Sequence, residues 1–196
     1  MPSAPALVAS FETSASQIAE CPQDDVLEIA FVGRSNAGKS SSLNRLFGSK
    51  RLARVSKTPG RTRLINMFTT SVGFRVADLP GYGYAKASRR EQDAWNAAVD
   101  TYLEQRHNLR GLVLVIDARH PLKPFDQNML DWAVRRELVV LALLNKADKL
   151  KRNAQIRTLA EVQRSTAACV NVTVQLFSAA TGLGSEAATD WLRQFA

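Results

Sequence analysis

The stretch "FVGRSNAGKSSSLNRLF", residues 31–47, places small and polar residues between an apolar run and a helical pattern. Residues 33–40 within it match the pattern G-x-x-x-x-G-K-[ST]. Glycines let the backbone curl so that successive N–H groups point inward, where they can bind phosphate oxygens. The N-terminus of a following helix adds a favourable dipole. The stretch therefore predicts a phosphate-binding loop between a strand and a helix.

Two side chains of this loop carry the chemistry that phosphates and metals require. Lys39 supplies a point charge for the β- and γ-phosphates, and the Ser40 hydroxyl can bind Mg²⁺. We expect the whole loop to contact the nucleotide. Its residues are Gly33, Arg34, Ser35, Asn36, Ala37, Gly38, Lys39 and Ser40.

Strands and helices alternate along the chain after a first hairpin. Hydrophobic periodicity and turn signals predict strands over 27–33, 64–70, 74–81, 111–117, 138–145 and 171–178. Helices are predicted over 39–47, 90–106, 125–135, 153–166 and 185–195. This order predicts an α/β fold with a mostly parallel six-stranded sheet, one antiparallel edge hairpin and helices on both faces.

The first residues of the chain carry weaker signals. Residues 1–25 are expected to be mostly irregular, with a short helix near Thr13–Glu20. We therefore predict an N-terminal extension over residues 1–25 and a single domain over residues 26–196.

Charge and composition limit the partners and the location. The chain has 196 residues and a net charge of +8, and between Arg34 and Arg90 its only acidic residue is Asp78. Such a block predicts a polyanionic partner. The sequence shows neither an apolar run of the ~18–20 residues that span a membrane nor the pattern of a secretory signal. Cys21 and Cys169 lack metal-ligand spacing. We expect a cytoplasmic protein without a membrane partner.

Three further motifs, each at the end of a predicted strand, indicate which base is bound. In "DLPG" (78–81), a strand-end carboxylate can hold Mg²⁺ through water, and a backbone N–H can meet the γ-phosphate. In "NKAD" (145–148), the Asn145 amide can bind the N7 edge of a base, and the Lys146 stem can cover its face. The Asp148 carboxylate can accept bonds from N1–H and the exocyclic amine, which guanine has and adenine lacks.

The last motif, "FSAA" (177–180), offers a backbone N–H for the guanine O6. Open α/β sheets bind ligands at the carboxyl ends of their strands, so we expect all these motifs to meet at one edge. The predicted nucleotide contacts from the three motifs are Asp78, Leu79, Pro80, Gly81, Asn145, Lys146, Ala147, Asp148, Phe177, Ser178 and Ala179.

With these motifs the sequence resembles the Ras-like P-loop GTPases from about residue 27 to residue 195. The loop "KTPGRT" (57–62) is similar to that of the TrmE–Era–EngA–YihA–septin class. Within that class, "SKTPGRTRLINMF", "DLPGYGYA" and "NKADKL" resemble the EngB (YihA/YsxC) family of ribosome-assembly GTPases.

The resemblance implies further site residues. It implies that Thr62 is the switch-I threonine, which joins Ser40 on Mg²⁺ when GTP is bound, although Thr58 competes by chemistry alone. It also implies catalytic roles for Lys39, Thr62 and Gly81. The segment expected near the phosphates comprises Gly60, Arg61, Thr62, Arg63 and Leu64. At Asn36, some members of the class bind K⁺, whereas a turn-forming asparagine is the alternative.

The expected activity is slow hydrolysis of GTP to GDP and phosphate. Many GTPases have a water-orienting glutamine after the DxxG motif, where this chain has Tyr82. We expect Tyr82 to pack rather than to catalyse, and turnover to be slow without an activator. The resemblance implies a protein that binds ribosomal RNA or a large-subunit assembly particle and is needed for cell division and septation. A monomer is the default expectation. The alternatives are a non-hydrolysing RNA-binding protein and a P-loop kinase, which "NKAD" disfavours.

Overall fold

The computed structural model describes residues 7–49, 52–53, 64–82, 97 and 99–196. The strands are β1 (Ala9–Ala15), β2 (Glu28–Gly33), β3 (Ile65–Thr70), β4 (Arg75–Asp78), β5 (Leu109–Asp117), β6 (Val139–Asn145) and β7 (Val172–Leu176). The helices are α1 (Lys39–Leu46), α2 (described over residues 99–105), α3 (Pro124–Arg135), α4 (Arg152–Ser165) and α5 (Ser185–Arg193). The described strands form one sheet in the order β1-β3-β4-β2-β5-β6-β7.

The sheet confirms the predicted α/β class. Strands β4, β2, β5, β6 and β7 run parallel, and β3 pairs antiparallel with β4. Gly73 lies in the hairpin turn with φ of +98°, a conformation that glycine adopts without steric cost. The strand predicted over 74–81 ends at Asp78, because Pro80 cannot donate to the sheet ladder. The strand predicted over 171–178 similarly ends at Leu176.

The predicted count of six strands is wrong, because β1 extends the sheet beyond the hairpin. Strand β1 pairs antiparallel with β3, so residues 9–15 are not irregular. The expected short helix is a single 3₁₀ turn, Ile18–Glu20. The pairing register shifts between Phe11 and Thr13, which breaks the alternation of side chains along the strand. The predicted boundary between residues 25 and 26 stays a prediction.

Side chains of the central strands alternate between two buried faces. On one face, Ala30, Val32 and Leu114 pack with residues of α2, α3 and α4. On the other face, Phe31 and Val115 pack with residues of α1 and α5. Strands covered on both faces need apolar side chains at every position, which explains the continuous apolar runs of β5 and β6.

A buried ion cluster holds the amino edge of the sheet, at the start of its parallel strands. Glu28 of β2 is 0% exposed and accepts hydrogen bonds from Arg106 Nη2 (2.7 Å), Tyr102 OH (2.6 Å) and Arg75 Nη1 (3.4 Å). Arg75 also donates to Glu12 (2.7 Å) and Asp24 (2.8 Å). The cluster therefore joins the N-terminal segment, the sheet and the end of α2.

The carboxyl ends of the parallel strands lie at the opposite edge. The loops that leave β2, β4, β6 and β7 at this edge contain the motifs predicted to bind a nucleotide. Over the described ranges, the structure contains no helix long and apolar enough to cross a membrane.

Candidate nucleotide site

The phosphate-binding loop runs from the end of β2 to the start of α1, as predicted. A Cβ at Gly33 would lie 2.6 Å from Val115 O, and one at Gly38 would lie 2.2 Å from Asn145 Nδ2. Gly38 also has φ of +98°. Both glycines are therefore required by close contacts as well as by the curl of the loop. Helix α1 begins at Lys39, so its N-terminus faces the loop.

Lys39 and Asp78 form an ion pair beside this loop, although they are far apart in sequence. Strand β4 runs parallel to β2 with Asp78 opposite Phe31, which brings the strand-end carboxylate beside the loop. Asp78 is buried, and Lys39 is largely buried. Lys39, which we expect to bind the phosphates, therefore lies next to Asp78, which we expect to hold the metal through water.

The DLPG segment lies directly on the phosphate-binding loop. The Leu79 N–H donates to Phe31 O (3.1 Å), and the Tyr82 N–H donates to Gly33 O (3.2 Å). The Ser35 N–H in turn donates to Tyr82 O (2.6 Å). A Cβ at Gly81 would lie 3.4 Å from Gly33 O, so the segment approaches the loop closely.

Tyr82 packs against two helices. Its ring stacks on Phe125 of α3 with 4.1 Å between the ring centroids. Its hydroxyl donates to Asp100 of α2 (3.1 Å). Burial, followed by the Asp100 charge, raises the pKa of Tyr82 well above its usual value. The phenol is therefore a neutral packing group, as the sequence predicts.

Asn145 joins three separate segments at the site. Its Nδ2 donates to Ala37 O (2.8 Å), and its Oδ1 accepts from the Ala179 N–H (3.1 Å). The side chain is buried at the end of β6. Asn145 thus holds the phosphate-binding loop and the 177–180 loop at a fixed separation.

Lys146 crosses from the NKAD motif to the phosphate-binding loop. Its Nζ contacts Asn36 O and donates to Asp117 Oδ2 (2.8 Å). Asn36 has φ of +65°, a left-handed turn conformation that asparagine adopts more readily than most residues. Burial raises the pKa of Asp117, but hydrogen bonds from Arg119 and Lys146 outweigh it, and the net pKa is well below the usual value.

Sequence reasoning missed Asp117 as a site residue. It ends the apolar strand β5 at the same edge as the motifs, which was the available signal. Arg45 of α1 was missed as well: its guanidinium donates to the carbonyls of Ala179 (2.9 Å) and Ala180 (2.8 Å). Because Arg45 is over a hundred residues from this loop, no local pattern indicates the contact.

Asp148 is placed by the loop after β7. Its Oδ1 accepts from the Ser178 hydroxyl (2.6 Å), and its Oδ2 lies 3.3 Å from Lys149 Nζ. The hydrogen bond from Ser178 is the main reason that the pKa of Asp148 is lowered. Ser178 is itself buried and accepts from the Thr181 N–H (3.2 Å). The carboxylate is therefore ionised and oriented.

The backbone around Phe177 fixes the rest of this loop. The Phe177 N–H donates to Leu144 O (3.0 Å), and the Ala147 N–H donates to Phe177 O (3.1 Å). Phe177 and Ala147 are buried. The NKAD and FSAA motifs therefore pack as one unit.

Asp126, near the start of α3, is a buried carboxyl group with one unpaired oxygen. It is 1% exposed, its Oδ2 accepts from the Lys123 N–H (3.0 Å), and its Oδ1 has no partner among the described residues. Burial raises the pKa of Asp126 to about 6, against opposing effects of the Lys123 N–H bond and the Arg34 charge.

Several predicted site residues lie outside the described residues. They are Gly60, Arg61, Thr62 and Arg63, together with the alternative Thr58. Leu64, at the end of that segment, is exposed. The described residues contain no cluster of three or more His, Cys, Asp or Glu that could hold a metal. The hydroxyl of Ser40 and the carboxylate of Asp78 fit Mg²⁺, which prefers few protein oxygens together with water and phosphate.

Comparisons with known proteins agree with this geometry. Residues 28–146 match a family model described as a 50S ribosome-binding GTPase. A probable GTP-binding protein EngB from Coxiella burnetii is 50% identical over 190 residues, covering 94% of this chain and 93% of that protein. One from Pseudoalteromonas atlantica is 51% identical over 179 residues, covering 90% of this chain and 86% of that protein.

Solved structures share the fold. A crystal structure of a probable GTP-binding protein engB superposes with a TM-score of 0.69 at 20% identity, covering 86% of this chain and 97% of that one. Era in complex with MgGDPNP and a segment of 16S ribosomal RNA superposes with a TM-score of 0.67 at 21% identity, covering 87% of this chain and 56% of that one. With the sequence matches, these results show that the chain belongs to the EngB family of P-loop GTP-binding proteins.

Proposed function

We propose that this protein is a guanine-nucleotide switch that hydrolyses GTP slowly and acts in assembly of the large ribosomal subunit. The observation that carries the guanine assignment is the oriented, ionised carboxylate of Asp148 beside Asn145. A carboxylate acceptor placed for N1–H and an exocyclic amine discriminates against adenine, because adenine would leave it unpaired.

The phosphate-binding loop and the groups around it support binding of the phosphates and the metal. Lys39 and Ser40 begin α1, and Gly81 lies against the loop, so the three groups surround one space. Mg²⁺, when bound, would neutralise charge on the β- and γ-phosphates. Ser40 would hold it directly and Asp78 through water, and Thr62 would join them in the GTP state. Thr58 is the alternative ligand from the same segment.

We expect slow GTP turnover because Tyr82 occupies the position at which many GTPases have a water-orienting glutamine. Tyr82 is engaged by Phe125 and Asp100 and offers no amide to orient a water. Positioning of the phosphates by the phosphate-binding loop, together with charge neutralisation, therefore accounts for most of the catalysis. K⁺ at Asn36 is a further proposed source of positive charge, tested by replacing Na⁺ with K⁺ in the turnover assay.

The charge distribution and the family description support the ribosomal partner. The net charge is +8, and the matching family model is described as a 50S ribosome-binding GTPase. Large-subunit particles present dense phosphate, which basic surfaces bind with strong salt dependence. We further propose that the protein is cytoplasmic and monomeric, and that cell division and septation depend on it.

Nucleotide binding separates this proposal from its alternatives. Affinities for GDP, GTP and ATP are measured by calorimetry on the same preparation. Preference for GDP and GTP supports the switch, preference for ATP supports a P-loop kinase, and no nucleotide binding supports a plain RNA-binding protein.

A second experiment tests the partner and the switch. Association with large-subunit particles is measured with GDP and with a non-hydrolysable GTP analogue across a salt series. We expect tighter binding with the GTP analogue than with GDP, and a steep fall of the affinity with salt. Equal binding in both states would contradict gating by the nucleotide, and no binding in either state would contradict the ribosomal role.

A further inference from the structure

A basic groove lies at the amino edge of the sheet, opposite the nucleotide site. It is formed where α2 leads into β5 and where α3 leads into β6. Its apolar part is Leu103, Leu109 and Leu138, which are buried. We call it the amino-edge groove, and its exposed basic rim comprises His107, Arg110, Arg135 and Arg136.

Two of the rim arginines, Arg110 and Arg136, are held by hydrogen bonds to backbone carbonyls. Arg110 Nη1 donates to the carbonyls of His107 (2.6 Å) and Leu109 (3.2 Å), and Arg136 Nη2 donates to Glu104 O (3.0 Å). Carbonyls carry no net charge, so these bonds orient the guanidinium groups and leave the charge in place. Within the described ranges, none of the three rim arginines has a carboxylate partner.

Other arginines of the protein differ from the rim arginines because they are paired with carboxylates. Arg75, Arg106 and Arg119 each donate to a carboxylate at 2.7 Å. Arg106 also lines the groove, where its charge is offset by Glu28. Among the described residues that line the groove, Glu137 is the only acidic one. Asp25 lies 3.6 Å from His107 at the rim, so the three rim arginines still leave a surplus of positive charge.

We infer that the amino-edge groove binds the phosphate backbone of RNA, as a contact separate from the nucleotide-binding edge; this inference rests on the proposed ribosomal function. An oriented guanidinium matches the geometry of a phosphate and is weakly hydrated, which makes it a good phosphate ligand. Strand β5 has nine residues, so at ~3.3 Å per residue the groove lies about 30 Å from the loops that bind the nucleotide. RNA in the groove can therefore bind without blocking the nucleotide.

The test compares a variant that lacks two rim arginines with a control variant that lacks two exposed arginines elsewhere. The groove variant is Arg110→Gln with Arg135→Gln. The control variant is Arg152→Gln with Arg157→Gln, which removes the same charge from exposed positions of α4. Binding of both variants and of the wild-type protein is measured against bacterial large-subunit particles and against protein-free large-subunit rRNA across a salt series. GDP affinity and melting temperature check folding.

We expect the groove variant to bind both probes about tenfold more weakly, with a salt slope lower by roughly 1–2, because each lost phosphate contact removes about one unit. The control variant should bind like the wild-type protein. If the groove variant binds as tightly as the wild-type protein, or if both variants lose the same affinity, the groove assignment is wrong. Neither result contradicts the proposed ribosomal function. Loss of particle binding with retained rRNA binding would assign the groove to a ribosomal protein instead. If the wild-type protein binds neither probe, the proposed ribosomal function itself fails.

Discussion

At the scale of single residues, Asp148 gives the sharpest test of base recognition. Asp148→Asn replaces one acceptor by a donor, so the bonds to guanine N1–H and the exocyclic amine cannot both form. We expect GDP affinity to fall by about 3 kcal/mol, roughly 100-fold, with partial recovery for xanthosine diphosphate. Calorimetry with both nucleotides checks this. Unchanged GDP affinity without xanthine preference would contradict the guanine assignment.

Gly38 tests the close contact inside the phosphate-binding loop. Gly38→Ala would place a Cβ 2.2 Å from Asn145 Nδ2 at a residue with φ of +98°. The matched control is Gly48→Ala, since Gly48 has φ of +63° but no atom within 4 Å of the new Cβ. The control should lose only the backbone cost of ~1–2 kcal/mol in unfolding free energy.

We expect Gly38→Ala to lose more stability than the control and also to lose nucleotide affinity, because Asn145 must move away from Ala37. Denaturant titration and GDP calorimetry measure the two effects. Equal losses of stability with GDP affinity unchanged in both variants would show that the contact with Asn145 is not needed.

At the scale of secondary structure, Asp126 near the start of α3 makes the unfolding free energy depend on pH. The pKa of Asp126 is raised to about 6, above its ordinary value of ~3.9. The folded state therefore binds the proton more tightly, so the contribution of Asp126 to stability is full at low pH and is lost as pH rises through 6. Asn at this position keeps an acceptor for the Lys123 N–H without the charge.

We therefore expect Asp126→Asn to raise the unfolding free energy by ~1–3 kcal/mol at pH 7.5 and to have little effect near pH 4. Urea titrations of both proteins at the two pH values check this. A stability difference that does not change with pH would contradict the raised pKa.

The ion cluster at the amino edge holds the end of α2 against the sheet. Glu28→Ala would leave the buried guanidinium of Arg106 without a carboxylate, which costs about 3–5 kcal/mol when a buried pair is broken. The exposed pair of Arg193 and Asp190 provides the control, since Asp190→Ala should cost below ~1 kcal/mol. Denaturant titration measures both variants. Similar small losses would show that the cluster does not stabilise this edge.

At the scale of the whole molecule, the N-terminal segment is expected to be part of the folded unit. Deleting residues 1–25 removes β1 from the edge of the sheet and removes Glu12 and Asp24 from the buried Arg75. We expect the truncated chain to lose several kcal/mol of unfolding free energy. The variant Glu12→Gln with Asp24→Asn keeps strand β1. It should lose only the part of the unfolding free energy that the two carboxylates contribute through Arg75. A truncated chain as stable as the full one would support the boundary predicted from the sequence.

The sequence by itself determined the α/β fold class and the succession of the six strands from β2 to β7, and it predicted the motif residues of the site. These are local signals: apolar runs mark the buried parallel strands, and short motifs mark the loops that follow them. Because the carboxyl ends of parallel strands share one edge, motif order alone predicted that the phosphate-binding loop, DLPG, NKAD and FSAA would meet there.

Only the tertiary structure decided which side chains hold these motifs together. The bonds from Asn145 to Ala37 and from Lys146 to Asp117, and the clamp of Arg45 on the 179–180 carbonyls, depend on the register of neighbouring strands and on helix packing. They join residues far apart in sequence, so no local pattern contains them. The same holds for β1: its small and polar residues and its bulge conceal the strand, which exists because β3 offers an edge to pair with.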